Sequence, residues 1–283
     1  MLSYLTAFQT LKKELTNLYD EGEAAAIAHE VMEHLTGYNK LQRLAEKERL
    51  FNEQQQSAFD EAQSRLLNGE PLQYITGVQW FLGKPFHVSK DVLIPRPETE
   101  ELVTWIAEDL KGHTNTSILD IGTGSGCIPV SLKLLLPSAN ITSCDVSSAA
   151  LDMAKKNAKA LQAGVSFLQL DFLNQSNWQQ LHRYDVIVSN PPYIPFSEQK
   201  SLDKNVREFE PATALFVPDG DPLIFYRRIA MFGKDHLHDG GAIYCELHKD
   251  YAAETEQLFR QMGYTSTTLR KDMHGNMRML KAS

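Results

Sequence analysis

Gly122-Thr123-Gly124-Ser125-Gly126 stands between the apolar run Ser117 to Ile121 and a second apolar run that begins at Ile128. Glycines at this spacing let a chain turn sharply and let a ligand approach backbone where a Cβ would collide. A strand, such a loop and then a helix bind ligands at the carboxyl end of a parallel sheet. The dinucleotide fingerprint G-x-G-x-x-G requires a third glycine where this chain has Cys127, so the spacing departs from that class. Asp120 lies two residues before the first glycine, an awkward neighbour for a pyrophosphate. It suits a ligand that carries an ammonium and a sulfonium.

Two more acids stand at the ends of the next apolar runs. Asp145 follows Ile141 to Cys144, and Asp171 with Phe172 follows Ser166 to Leu170. A carboxylate at the first point accepts both hydrogen bonds of an adenosine ribose. One at the second accepts the adenine amino group, with the Phe172 ring covering the purine face. Asp120, the 122–126 loop, Asp145, Asp171 and Phe172 therefore predict an S-adenosylmethionine site.

Asn190-Pro191-Pro192-Tyr193 closes a further apolar run, Tyr184 to Ser189, and so falls on the same sheet edge. An amide or aryl amino nitrogen is a weak nucleophile because its lone pair is delocalised. The Asn190 side-chain oxygen and the Pro191 carbonyl each supply one acceptor for its N–H groups, which orients the nitrogen and enriches it in electron density. Pro192 stiffens the second carbonyl, and Tyr193 offers a wall for a planar group. The chemistry expected is methyl transfer to such a nitrogen, with no general base before the transfer.

The elements that must position these residues alternate. Strands are expected at 117–121, 141–146, 166–170, 184–189 and 242–247. Helices are expected at 98–110, 128–136, 149–163, 222–232 and 251–262. Two last strands, near 265–269 and 277–281, follow each other directly and predict an antiparallel hairpin at one sheet edge. The first 70 or so residues read as helices: Leu2, Leu5, Phe8, Leu11, Leu15 and Leu18 form one stripe, Glu23 to Leu35 ends at Thr36-Gly37, and a third helix runs from about Glu46 to Leu67. Between Tyr74 and Ile94, Trp80-Phe81-Leu82 and Pro85 to Val88 flank a turn expected at Gly83-Lys84. The expected architecture is α/β: a Rossmann-like class I methyltransferase sheet with a closing antiparallel hairpin, behind a small all-α domain and a β-hairpin linker. Its boundaries are read as 1–73 for the helical domain, 74–95 for the linker and 96–283 for the methyltransferase domain.

Composition limits the alternatives. A net charge of −8 argues against a nucleic-acid enzyme, which needs a basic footprint, and favours a protein partner. No apolar window is long enough for a membrane span, and Met1 to Asp20 lacks the layout of a secretory signal, so a cytoplasmic monomer is expected. Three scattered cysteines, Cys127, Cys144 and Cys245, read as small buried hydrophobes. His29 and His34 flank two glutamates but sit five apart, which turns them about 140° away from each other on a helix, so no metal site is expected.

Pro71-Leu72-Gln73-Tyr74-Ile75-Thr76-Gly77 and Val92-Leu93-Ile94-Pro95-Arg96-Pro97-Glu98-Thr99-Glu100, taken with Gly122 to Gly126 and Asn190 to Tyr193, resemble the signatures of the peptide chain release factor glutamine methyltransferases, the HemK/PrmC type. The resemblance spans nearly the whole chain. It implies methylation of the glutamine amide in the Gly-Gly-Gln loop of class I release factors. It further implies that Gly122 to Gly126, Asp145 and Phe172 contact the cofactor, and that Asn190 to Tyr193 hold the substrate glutamine, Asn190 also lying against the cofactor. The helical domain then helps grip the release factor. Phe172 stands where some members have tryptophan, so an aromatic cover is kept. The rival readings are a ribosomal-protein glutamine methyltransferase, a DNA adenine methyltransferase and a non-catalytic S-adenosylmethionine-binding regulator.

Overall fold

The computed structural model describes residues 1–283. Packing divides them into two units, Met1–Gly77 with Asp203–Phe209, and Val78–Leu202 with Glu210–Ser283. The first contains α1 (Tyr4–Leu15), α2 (Glu21–Thr36), α3 (Lys40–Ala45), α4 (Glu53–Leu67) and α5 (Leu72–Thr76). Its core is built from Ala7, Leu11 and Leu15 of α1, Ala28, Val31 and Met32 of α2, and Phe59 and Leu66 of α4. Asp20 caps α2 through the amides of Gly22 and Glu23, and Gly37 ends that helix in a left-handed conformation.

Two expectations are corrected here. The apolar stripe ends at Leu15, and Leu18 is 51% exposed. The helix expected from about 46 to 67 begins only at Glu53. Residues 46–52 leave helical geometry so that Phe51 can bury its ring against Tyr4 and Phe59. Asn52 then starts α4 with a reciprocal capping box to Gln55, a contribution of about 1 kcal/mol.

The second unit opens with the hairpin β1 (Val78–Phe81) and β2 (Lys84–His87). Its turn is Leu82-Gly83, one residue earlier than expected, because Phe81 pairs with Lys84 and both turn residues take positive φ, as a type I′ turn demands. There follow α6 (Pro97–Asp109), β3 (Ser117–Ile121), α7 (Cys127–Leu135), β4 (Asn140–Asp145), α8 (Ser148–Ala160), β5 (Ser166–Gln169), β6 (Tyr184–Ser189) and the short β7 (Ile194–Pro195). After α9 (Lys204–Phe209), which packs with the helical unit, come α10 (Ala212–Leu215), β8 (Phe216–Val217), α11 (Ile224–His236), β9 (Leu237–Glu246), α12 (Ala252–Gln261), β10 (Thr267–Lys271) and β11 (Met277–Ala282).

Seven strands form one sheet in the order β10-β11-β9-β6-β3-β4-β5. The run from β9 to β5 is parallel, and β11 and β10 close it antiparallel, as the two consecutive strands predicted. One face carries Leu102, Val103, Ile106, Val130 and Leu132 from α6 and α7. The other carries Tyr226, Ile229, Phe232 and Phe259 from α11 and α12. The chain leaves β3 first towards β4 and later returns to β6 on its other side. That reversal opens a crevice at the carboxyl ends of the strands.

Candidate active site

A cavity of about 370 Å³ occupies this crevice. Its walls include Gly122, Thr123, Gly124 and Ser125 after β3, Asp145 at the end of β4, Asp171 and Phe172 after β5, and Asn190, Pro191 and Pro192 after β6. Asp91 and Arg96, from the segment between the hairpin and α6, and Thr99, in the first turn of α6, also line it. Of the residues singled out from sequence, Asp120, Gly126 and Tyr193 do not line it.

The loop is held from below. The amides of Gly122 and Thr123 donate to the Cys144 carbonyl, and that of Gly124 donates to Asp145 Oδ2 at 2.9 Å. Asp145 Oδ1 accepts from Ser147 N at 2.9 Å. A Cβ at Gly124 would meet nothing within 4 Å, so its absence leaves room on the cavity side. Gly126 serves packing: with φ +82° it brings the start of α7 so close to α8 that a Cβ would lie 3.0 Å from that of Ala154. Open space over the glycines and an anchored acid with lone pairs to spare fit an adenosine-bearing ligand.

Asp120 sits inside β3 with its carboxyl fully buried, where Oδ2 accepts from Ser143 Oγ at 2.7 Å across to β4. Strand alternation puts it on the Ile118 face, beneath the loop and outside the residues that line the cavity. Burial pushes this carboxyl up to about 7. The Phe172 ring lines the cavity with its back against Trp178 and Phe232, at centroid distances of 5.5 and 5.3 Å.

Beside the cavity, Asn190 Nδ2 donates to Thr99 Oγ1 at 3.0 Å, and Thr99 Oγ1 donates to Glu246 Oε2 at 2.6 Å. The Tyr193 hydroxyl donates to Glu246 Oε1 at 3.3 Å, and its ring meets His248 edge-on instead of facing the cavity. Glu246, at the end of β9, is 2% exposed. Burial pushes its carboxyl up to about 7, against the Thr99 hydroxyl and the Arg278 guanidinium, which favour the charged form.

Sequence reasoning passed over Thr99, Glu246 and two further polar anchors. Asn157 of α8 donates to the carbonyls of Ser125 and His87 and accepts from His87 N, tying the loop to the hairpin. Glu210 accepts from Ile94 N and pairs with Arg96 at 2.5 Å. A polar residue on the apolar face of an amphipathic helix, as Asn157 is, was the readable sign of the first.

The two buried acids give stability a defined pH dependence. Their carboxyls lie near 7 in the folded chain, against ordinary values of 3.8 for Asp120 and 4.5 for Glu246. In that window the folded chain holds protons the unfolded chain has released. The stabilisation is therefore fully present below the ordinary values and lost as pH rises through about 7. The stability of wild type relative to Asp120→Asn should fall by about 1.4 kcal/mol per unit between about pH 5 and pH 7. Urea melts across that range check it; a constant difference contradicts it.

Two family models match the chain, the PrmC N-terminal domain over residues 6–77 and the Methyltransferase small domain over residues 99–229. The chain is 38% identical over 272 residues to the release factor glutamine methyltransferase of Flavobacterium psychrophilum, with 95% of each chain covered. It is 37% identical over 282 residues to that of Bacteroides thetaiotaomicron, with 100% of each covered. Among solved structures, a methyltransferase from Pyrococcus furiosus superposes with a TM-score of 0.52 at 17% identity, over 79% of this chain and 98% of that one. The hMettl16 catalytic domain gives 0.53 at 20% identity, over 82% of this chain and 81% of that one, a likeness of fold alone.

Proposed function

The chain belongs to the release factor glutamine methyltransferases, and we propose on that premise that it methylates the side-chain amide of the glutamine in the Gly-Gly-Gln motif of class I peptide chain release factors. S-Adenosylmethionine supplies the methyl carbon: as the N–C bond forms, the C–S electron pair stays on sulfur as a neutral thioether and the nitrogen releases a proton. The residues of the chain contribute geometry and polarisation. Asp145 accepts from the ribose, Gly122 to Ser125 admit the amino-acid part, and Asp171 and Phe172 border the adenine. Asn190 Oδ1 and the Pro191 carbonyl accept the two N–H groups of the substrate amide, which raises electron density on its nitrogen and aims it. Pro192 keeps the turn rigid, and Tyr193 braces it from behind.

The observation that carries this reading is the unengaged Asn190 Oδ1 beside a cavity walled by the glycine loop and Asp145. The helical domain, 1–73, contributes to holding the release factor, the hairpin of 74–95 links it, and 96–283 carries the chemistry. A net charge of −8 supports a protein substrate over nucleic acid and action as a monomer, and a release-factor substrate supports action in the cytoplasm. No helix is long and apolar enough to cross a membrane.

Radiolabelled methyl transfer to purified class I release factor tests the proposal, with a Gln→Ala change in the Gly-Gly-Gln loop as control. Label on the wild type and none on the variant is expected. Label on both places the acceptor elsewhere, and label on neither, with ribosomal protein accepting instead, overturns the substrate.

A further inference from the structure

The acceptor reading requires a particular orientation of the Asn190 amide. With Oδ1 towards the substrate it accepts an N–H; turned by 180° it presents Nδ2, a second donor facing donors. Nothing in asparagine itself decides between the two, since oxygen and nitrogen have nearly the same size and shape.

The neighbours decide it. Above the pH of about 7 at which its buried carboxyl loses its proton, Glu246 is acceptor-only, and both of its oxygens are taken, Oε2 by Thr99 and Oε1 by Tyr193. Thr99 is 2% exposed and has one hydroxyl proton, which the 2.6 Å contact commits to Glu246. What Thr99 can still offer Asn190 is a lone pair, so the atom it meets at 3.0 Å must be a donor, Nδ2. The chain of bonds thus runs one way, from Asn190 to Thr99 to Glu246, and Oδ1 is left for the ligand.

We propose that Thr99 and Glu246 are positioning residues that fix the polarity of the Asn190 amide, leaving its Oδ1 as the acceptor for the substrate N–H. The inference rests on the reading of Asn190 as part of the acceptor cradle. Neither residue touches the reacting atoms: each acts through Asn190, Glu246 by orienting the Thr99 hydroxyl and Thr99 by holding Nδ2.

Action through Asn190 has a signature that a general packing role lacks. Thr99→Val keeps the shape and removes the hydroxyl, and Glu246→Met removes the obligatory acceptor at similar length. In the wild-type background each is expected to lower kcat by about a hundredfold, with cofactor affinity by calorimetry within about threefold. In an Asn190→Ala background, where no amide remains to orient, the same changes should cost less than about threefold. Thr99→Ser, which keeps the hydroxyl, should restore most of what Thr99→Val loses.

Equal losses in the two backgrounds overturn the inference, as does Thr99→Val within about threefold of wild type. If Glu246→Met does not fold, the Thr99 variants decide. Failure of the underlying readings looks different: a wild-type enzyme that does not label release factor contradicts the substrate, and an active Asn190→Ala contradicts the cradle. Active wild type and crippled Asn190→Ala, together with either additive losses at Thr99 or a Thr99→Val near wild type, refute the positioning role alone.

Discussion

Asn190→Ala should lower methyl transfer to release factor by about a thousandfold while S-adenosylmethionine binds within a few fold of its wild-type affinity. The size follows from what the side chain supplies. In a site screened from water, one preorganised polar group aimed at developing charge is worth about 10²–10³ in rate. Here the same group also holds the nucleophile in line, so the upper end is expected. Cofactor affinity is spared because the glycine loop and Asp145 belong to other strand ends and keep their own bonds. The measurement is single-turnover transfer at saturating cofactor, beside calorimetric titration of the same preparation. Activity within tenfold of wild type would remove Asn190 from the cradle.

That this residue was legible in sequence, and its supports were not, has a physical cause. Asn190 belongs to a contiguous motif at the end of an apolar strand, and the glycine loop is likewise local. The period-2 and period-3.6 patterns around them fix where they fall. Thr99 meets Glu246 across 147 positions, and His87 meets Asn157 across 70. Such partners are joined by the sheet order, and no local pattern carries that order. Glu246 was nonetheless visible as an isolated acid at the end of the apolar run Ala242 to Cys245, the same strand-end position that drew attention to Asp145 and Asp171.

Asp120 shows where local pattern stops informing. Its place in β3, two residues before the first glycine, was legible, but its burial outside the cavity lining was not. One step of strand alternation separates a side chain beneath a loop from one beside its ligand. The interruption between α3 and α4 was readable too, since Asn52 and Gln55 carry the capping-box pair that starts a helix, but the apolar spacing on either side masked it. Tertiary packing of Phe51 selects the break.

Asp145→Ala should raise the KM for S-adenosylmethionine by about a hundredfold or more, and largely restore kcat when cofactor saturates. Two losses combine. The carboxylate gives up its bonds to the ribose, and hydrogen bonds to a charged group contribute about 1.5–3 kcal/mol each, against about 1.4 kcal/mol for every tenfold in affinity. It also releases the amides of Gly124 and Ser147, both at 2.9 Å, so the loop loses its tie to β4. Asp145→Asn separates the two. Its remaining oxygen serves one amide, its new N–H₂ opposes the other, and an intermediate KM is expected. The pattern should mirror that of Asn190→Ala: there binding survives and transfer fails, here transfer survives at saturation and binding fails. Steady-state kinetics across cofactor concentration measure both. If Asp145→Ala lowered kcat at saturation as far as Asn190→Ala does, the division of labour between the end of β4 and the end of β6 would be wrong. The loop would then have to be counted among the groups that aim the methyl acceptor.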